Sequence, residues 1–235
     1  FHFHLGSMLF DQLPYLMAVN IVLDKMRDFF EETGLVTHEI NVGGGFGVPL
    51  LPGGSRVRIE DFTDPIMERI AEGTASRGLK MPEVVIEPGR WIVSEAGITL
   101  YTVGVVKNIP GYLTYASVDG GMADNPRPAL YGARYHAVVA NKYHLESTET
   151  VTLAGKCCES GDILIRDLNV PELETGDIIA VLNTGGYNFS MASNYNRNPR
   201  PAMVLLSGEK AFEVVSRQTF EDIVKGEVIP DHLKK

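Results

Sequence analysis

The feature that most constrains this chain is a change of rhythm near residue 97. Before it, short β-prone runs alternate with stretches whose apolar residues recur at helical spacing. After it the helical spacing stops. Phe1-His2-Phe3-His4-Leu5 alternates as a strand does. Tyr15, Leu16, Val19, Val22, Leu23, Met26 and Phe30 then mark one face of a helix, and Gly34 suits its end because glycine takes the left-handed cap conformation without steric cost. Residues 38–42 read as a strand running into Gly43-Gly44-Gly45. A second helix is expected to open near Asp64-Pro65, where proline fits the first helical position, with Phe62, Ile66 and Ile70 on its apolar face and Gly78 at its close. Residues 84–87 form the next strand, ending at a rigid Pro88-Gly89 turn. Strand, helix, strand, helix, strand is the order of a parallel α/β architecture.

From Ile98 onward, residues 98–106, 115–119, 135–139, 151–154 and 177–182 read as strands separated by turn clusters, and 220–225 as a final helical turn. That is the pattern of a mostly antiparallel β domain. Two domains are therefore expected, 1–97 and 98–235. Three strands cannot close a parallel barrel, which needs eight strands and roughly 250 residues. The first domain is then either a small open sheet or part of a barrel whose other strands lie elsewhere. A chain that opens on Phe1 in mid-strand favours a piece of a longer protein, and such a piece is expected to expose apolar surface.

The formal net charge of -9 over 235 residues excludes nucleic acid as a natural partner, because neutralising phosphates needs a basic surface. No apolar run approaches the roughly 20 residues that span a bilayer, and no signal peptide is expected. Cys157 and Cys158 are the only cysteines, and neighbours in sequence are poorly placed to bridge each other. A cytoplasmic protein without membrane attachment fits these features.

Three groups of residues fall at the C-terminal ends of the expected α/β strands, where such sheets place their ligands. His4 with Gly6-Ser7 offers an imidazole, backbone N–H groups and a hydroxyl. Gly43-Gly44-Gly45-Phe46-Gly47 lets main chain approach a phosphate, and it lacks the spacing of a dinucleotide fingerprint. Glu87-Pro88-Gly89-Arg90 holds a carboxylate beside a guanidinium whose fork suits phosphate. A packed core histidine, a flexible loop and a surface ion pair are the plainer readings of each group alone. Together they suit a phosphorylated cofactor with a ring nitrogen to keep protonated.

These three motifs, in this order, resemble the alanine-racemase-like barrel decarboxylases. The β region sharpens the resemblance. Asp119-Gly120-Gly121-Met122, Arg127-Pro128-Ala129-Leu130-Tyr131, Cys158-Glu159-Ser160-Gly161-Asp162, Gly186-Tyr187 and Met191-Ala192-Ser193-Asn194-Tyr195-Asn196 are similar in order and spacing to the diaminopimelate decarboxylases. The resemblance implies α/β plus all-β architecture: the C-terminal part of a (β/α)8 TIM-like barrel followed by an antiparallel β-barrel or sandwich domain. It implies pyridoxal 5'-phosphate as cofactor, held by Ser7, Gly43, Gly44, Gly45, Gly89, Arg90 and Tyr187. His4 would stack on the pyridine ring and Glu87 would pair with its nitrogen. An amino-acid substrate would meet Arg90, Arg127, Tyr131, Glu159 and Tyr187, with Arg127 and Tyr131 on the distal carboxylate and Glu159 on the distal ammonium. Cys158 would donate a proton. A homodimer is implied, in which Cys158 and Glu159 serve the neighbouring subunit's site.

The implied reaction is decarboxylation of meso-diaminopimelate to L-lysine. Relatives acting on ornithine, arginine or carboxynorspermidine are the alternative within the class. The resemblance also implies a lysine that holds the cofactor covalently, on a strand before His4. None of Lys25, Lys80, Lys107 or Lys142 stands in a matching context, so the chain reads as a fragment of a full enzyme. A natural homologue without that lysine, acting as a binding protein, is the reading from a different class. The pair Lys156-Cys157 departs from the pattern of many relatives.

Overall fold

The computed structural model describes residues 1–49, 51 and 57–234. The chain divides into two compact units, Phe1–Gly97 and Ile98–Lys235.

In the first unit, helix α1 spans Leu13–Thr33 and ends at Gly34, whose φ of 69° lets its N–H reach Phe30 O. Its buried positions, Tyr15, Val19, Leu23 and Met26, follow the helical repeat. Strand β1 is Glu39–Asn41 and helix α2 is Glu60–Ser76. Strand β2 is Glu83–Val85, followed by the single helical turn α3, Gly89–Val93. β1 pairs with β2 in parallel, and the opening segment lies along β1's other side through parallel bridges His2–Asn41 and Leu9–Phe46. Three parallel segments therefore run side by side with β1 in the middle. The opening segment is extended but carries one bridge where an alternating five-residue strand was expected. Tyr15, Phe46 and Phe62 form a ring cluster at the centre, with Tyr15 and Phe46 stacked at 5.2 Å. Burying each such side chain contributes about 1.5–3 kcal/mol.

One expectation fails here. Helix α2 opens at Glu60 rather than at Asp64-Pro65, and Pro65 lies inside it. The Asp61 carboxylate accepts the Arg58 N–H at 2.8 Å and starts the helix a turn earlier. Pro65 removes only one backbone bond near that end. The rigid Pro88-Gly89 turn leads directly into helical turn α3, with Ile92 N bonded to Pro88 O at 3.1 Å.

The second unit holds β3 (Thr99–Ile109), β4 (Leu113–Val118), helix α4 (Arg127–Tyr131), β5 (Ala137–Val139), β6 (Glu149–Ala154), β7 (Ile163–Val170) and β8 (Ile178–Val181). Six strands form one sheet in the order β5-β8-β3-β4-β6-β7. Its two edge strands, β5 and β7, touch each other, so the sheet curls almost to closure. The core lies inside the curl, where Tyr101, Val103, Ala116, Leu153, Leu164, Ile179 and Val181 are buried. All pairings are antiparallel except β4 with β6. β9 (Met203–Ser207) and β10 (Lys210–Val215) make a separate antiparallel hairpin with every side chain exposed, and α5 is Phe220–Val224. No helix among the described residues is long and apolar enough to cross a membrane.

Candidate functional site

In the first unit the ends of the three parallel segments bring His4, Ser7, Gly43–Gly45, Glu87 and Arg90 together. The register of β1 sets this. Val42 N bonds to Val85 O and Glu87 N to Gly43 O, carrying the ladder past the strand ends into both motifs. Gly44 sits so close to the neighbouring chain that a Cβ would stand 2.0 Å from the Glu87 carbonyl oxygen. At Gly45 a Cβ would stand 1.9 Å from Gly6 O, and its φ of 92° excludes most side chains as well. The glycine run is thus a wedge of bare main chain between the His4–Ser7 segment and the Glu87 segment, not a slack loop.

Arg90 is buried, and its Nη2 donates to Ser7 Oγ at 3.3 Å across 83 residues of sequence. Gly44 N–H donates to His4 Nδ1 at 3.3 Å, which leaves Nε2 to carry the proton of the neutral ring. Glu87 Oε1 accepts from Asn41 Nδ2 at 2.9 Å, and His2 Nε2 stands 3.4 Å from the same oxygen. Tyr15 is buried beneath and donates its hydroxyl to Gly44 O at 2.8 Å. Burial pushes the Tyr15 phenol up to about 12, so it remains a donor at any ordinary pH. Gly89 begins α3 beside Arg90. His2, Tyr15 and Asn41 are site neighbours that motif reading missed. The alternation of Phe1-His2-Phe3-His4 could have found His2, because residues two apart in a strand share a face.

The second unit carries two groups. Arg127, at the start of α4, is buried, and its guanidinium carbon stands 5.3 Å from the Tyr131 ring centroid and 5.7 Å from that of Tyr187. Its Nε is buried without a hydrogen-bond partner among the described residues. Tyr187 holds a left-handed φ of 68°, unusual for an aromatic residue, where the chain turns after two glycines. In the other group Cys158 and Glu159 are both exposed. Glu159 Oε1 accepts from Gly161 N at 3.2 Å, and Tyr195 OH stands 3.5 Å from Oε2. Cys157 is half-buried, and both cysteines are free thiols. Burial first, then the Asp162 carboxylate, pushes the Cys157 thiol up.

Two further carboxylates hold the main chain of these loops, Asp124 half-buried and Asp162 buried. Asp124 accepts from the Tyr101 hydroxyl and from Gly121 N. Its burial raises its carboxyl above the usual range. Asp162 accepts backbone N–H groups from Met122 and Cys157.

Residues 21–185 match the family model described as pyridoxal-dependent decarboxylase, C-terminal sheet domain. The diaminopimelate decarboxylase of Bacillus subtilis is 45% identical over 224 residues, which cover 95% of this chain and 51% of that protein. A crystal structure of diaminopimelate decarboxylase from M. jannaschii in complex with L-lysine superposes with a TM-score of 0.90 at 34% identity, covering 99% of this chain and 52% of that one. A lysine/ornithine decarboxylase from Vibrio vulnificus, complexed with cadaverine, gives 0.71 at 25% identity over 83% of this chain and 50% of that one. The chain spans about half the length of the curated relatives it matches.

Proposed function

Because the chain belongs to the pyridoxal-dependent decarboxylases, in which it includes the C-terminal sheet domain, we propose that it is part of a diaminopimelate decarboxylase. The complete enzyme removes one carboxylate of meso-diaminopimelate as carbon dioxide and leaves L-lysine. The first unit is then the C-terminal part of a (β/α)8 barrel. The lysine that holds the cofactor belongs to the portion of the complete protein outside this chain.

The residues of the first unit fit a phosphorylated pyridine. The bare main chain at Gly43–Gly45 lets the His4–Ser7 and Glu87 segments close onto it where any Cβ would collide, and the Ser7–Arg90 pair supplies a hydroxyl and a guanidinium for the phosphate. Gly89 completes the phosphate contacts in this reading. Pyridoxal phosphate, when bound, supplies the sink for the electron pair left as carbon dioxide departs. Glu87, steadied by Asn41, holds the proton at the pyridine nitrogen. His4, fixed by Gly44 N–H, presents its flat ring to the cofactor.

Diaminopimelate has two amino-acid ends, and only one reacts. Recognising the other end needs a cation for its carboxylate and an anion for its ammonium. Arg127 supplies the first, flanked by Tyr131 and Tyr187, and Glu159 the second. Cys158 donates its thiol proton to the α-carbon. Cys158 and Glu159 serve the partner subunit of a homodimer, so the amino-acid substrate is met by residues of two copies. We place the enzyme in the cytoplasm, in keeping with its two free cysteines.

The observation that carries the substrate assignment is the buried Arg127, whose Nε has no partner among the described residues. A guanidinium is costly to bury without an anion, and a carboxylate between the two tyrosine rings would satisfy it. Lysine and ornithine have no second carboxylate to offer. In the complete enzyme, Arg127→Ala is expected to lower kcat/KM for meso-diaminopimelate about 10²- to 10³-fold, the loss of a desolvated charge pair. Unchanged kcat and KM would refute the assignment.

A further inference from the structure

We propose that Asp162 is a positioning residue of this reaction, its carboxylate clamping the turn that leads to Arg127 against the loop that carries Cys158 and Glu159. The proposal rests on the functional reading above and adds to it a residue that touches neither substrate nor cofactor.

Asp162 is 3% exposed. Its Oδ1 accepts from Met122 N at 2.6 Å and its Oδ2 from Cys157 N at 2.7 Å. Met122 precedes the start of α4 by only a few residues, and Cys157 adjoins Cys158. One carboxylate therefore fixes both segments, one oxygen to each. Main-chain bonds follow the same line: Lys156 N to Gly120 O at 3.0 Å, Gly155 N to Asp162 O at 2.9 Å, and Asp162 N to Glu159 O at 3.1 Å. The glycines beside it make room for the carboxylate. A Cβ at Gly121 would stand 2.5 Å from Oδ1, and one at Gly155 2.2 Å from Oδ2. No neutral side chain of this size offers two acceptors back to back. An asparagine would meet one of the two N–H groups with its own N–H, donor against donor. Buried polar networks of this kind fix geometry only when every member is satisfied.

The two segments carry different parts of the proposed chemistry, Arg127 for the distal carboxylate and Cys158 with Glu159 for the proton and the distal ammonium. Losing the shared anchor frees both at once. Displacement by about 1 Å is enough to cost on the order of 10²-fold in rate.

The test uses the complete holoenzyme with two variants, Asp162→Asn and Gly155→Ala. The first keeps the shape and removes one acceptor. The second keeps the carboxylate and pushes it aside. Each is compared with wild type in kcat and KM for meso-diaminopimelate, in pyridoxal-phosphate affinity, and in melting temperature, with activity assayed well below the melting point. The expected result is kcat about 100-fold lower and KM raised, with cofactor affinity within about twofold of wild type because its ligands are held by the first unit. A lower melting temperature with kcat and KM unchanged would overturn the proposal and leave Asp162 purely structural. Should Asp162→Asn fail to fold, Gly155→Ala decides by the same criteria. Wild-type enzyme that releases no carbon dioxide from meso-diaminopimelate would sink the functional reading itself, and this proposal with it.

Discussion

The two units build their candidate sites from different parts of the peptide. In Phe1–Gly97 bare main chain sets the spacing of the site: Gly44 and Gly45 are wedged where an added Cβ would meet backbone oxygen at 2.0 and 1.9 Å. In Ile98–Lys235 the surface is side chain: Arg127 between two tyrosines, and Glu159 and Cys158 on a loop held from below by Asp162. A main-chain site is fixed by sterics, and backbone oxygen cannot step aside for even one methyl group. A side-chain site is fixed by charge and hydrogen bonding, so it bears changes of size better than changes of charge. The first kind suits a ligand that never changes, the second a substrate that must be told from its relatives.

The sharpest way to break this contrast is Gly44→Ala. It should abolish detectable cofactor binding in the complete enzyme or weaken it more than about 100-fold, a cost near 2.7 kcal/mol, as read by titrating the cofactor's visible absorbance. Binding as in wild type would show that the glycine run is pliable after all. A smaller effect is expected from Arg90→Lys, which keeps the charge beside Ser7 but loses the planar fork: about tenfold weaker cofactor binding, with KM for substrate little changed. The smallest effect concerns stability. Asp177 is buried against Lys142, 2.8 Å away. Burial opposes its ionisation, but hydrogen bonds from Lys142, Glu174 N and Asn141 outweigh it and hold the carboxyl below its ordinary value. A lowered folded value means stability that is present above an unfolded value of about 3.9 and is lost as pH falls through that range and below. The melting-temperature gap between wild type and Asp177→Asn should therefore be widest near neutrality and narrow as pH falls below about 4. A gap that stayed constant would remove Asp177 from the ionic account.

Much of the helix content was legible because α1 and α2 are long and amphipathic, so Tyr15, Val19, Leu23, Met26 and Phe62, Ile66, Ile70 repeat over several turns. Strands gave a weaker signal. β7 escaped notice because its burial does not alternate, with Arg166 and Asp167 both exposed and Asp167 at a φ of 53°. β9 escaped because residues 203–206 are a continuous apolar run without a polar face. The short helices α3 and α4 have too few residues for a repeat to show. In the sites, unusual residue types stood out: a triple glycine, Glu-Pro-Gly-Arg, paired cysteines. What could not be read was the inward turn of ordinary residues. Tyr15 reaches Gly44 across 29 positions, and Asn41 reaches Glu87 across 46. Asp162 stood inside a recognised motif, yet nothing in the string of letters says that its carboxylate is buried against Met122 N and Cys157 N.

The central claim is a division of labour: the first unit holds the cofactor and the second reads the distal end of the substrate. The most direct test is the pyridoxal-phosphate dissociation constant of the complete enzyme carrying Arg127→Ala, measured on the same preparation as its kcat/KM for meso-diaminopimelate. The account predicts cofactor affinity within about twofold of wild type beside a loss of about 10² or more in kcat/KM. Cofactor affinity falling in parallel with kcat/KM would contradict it, because Arg127 would then belong to the cofactor's site rather than to the substrate's.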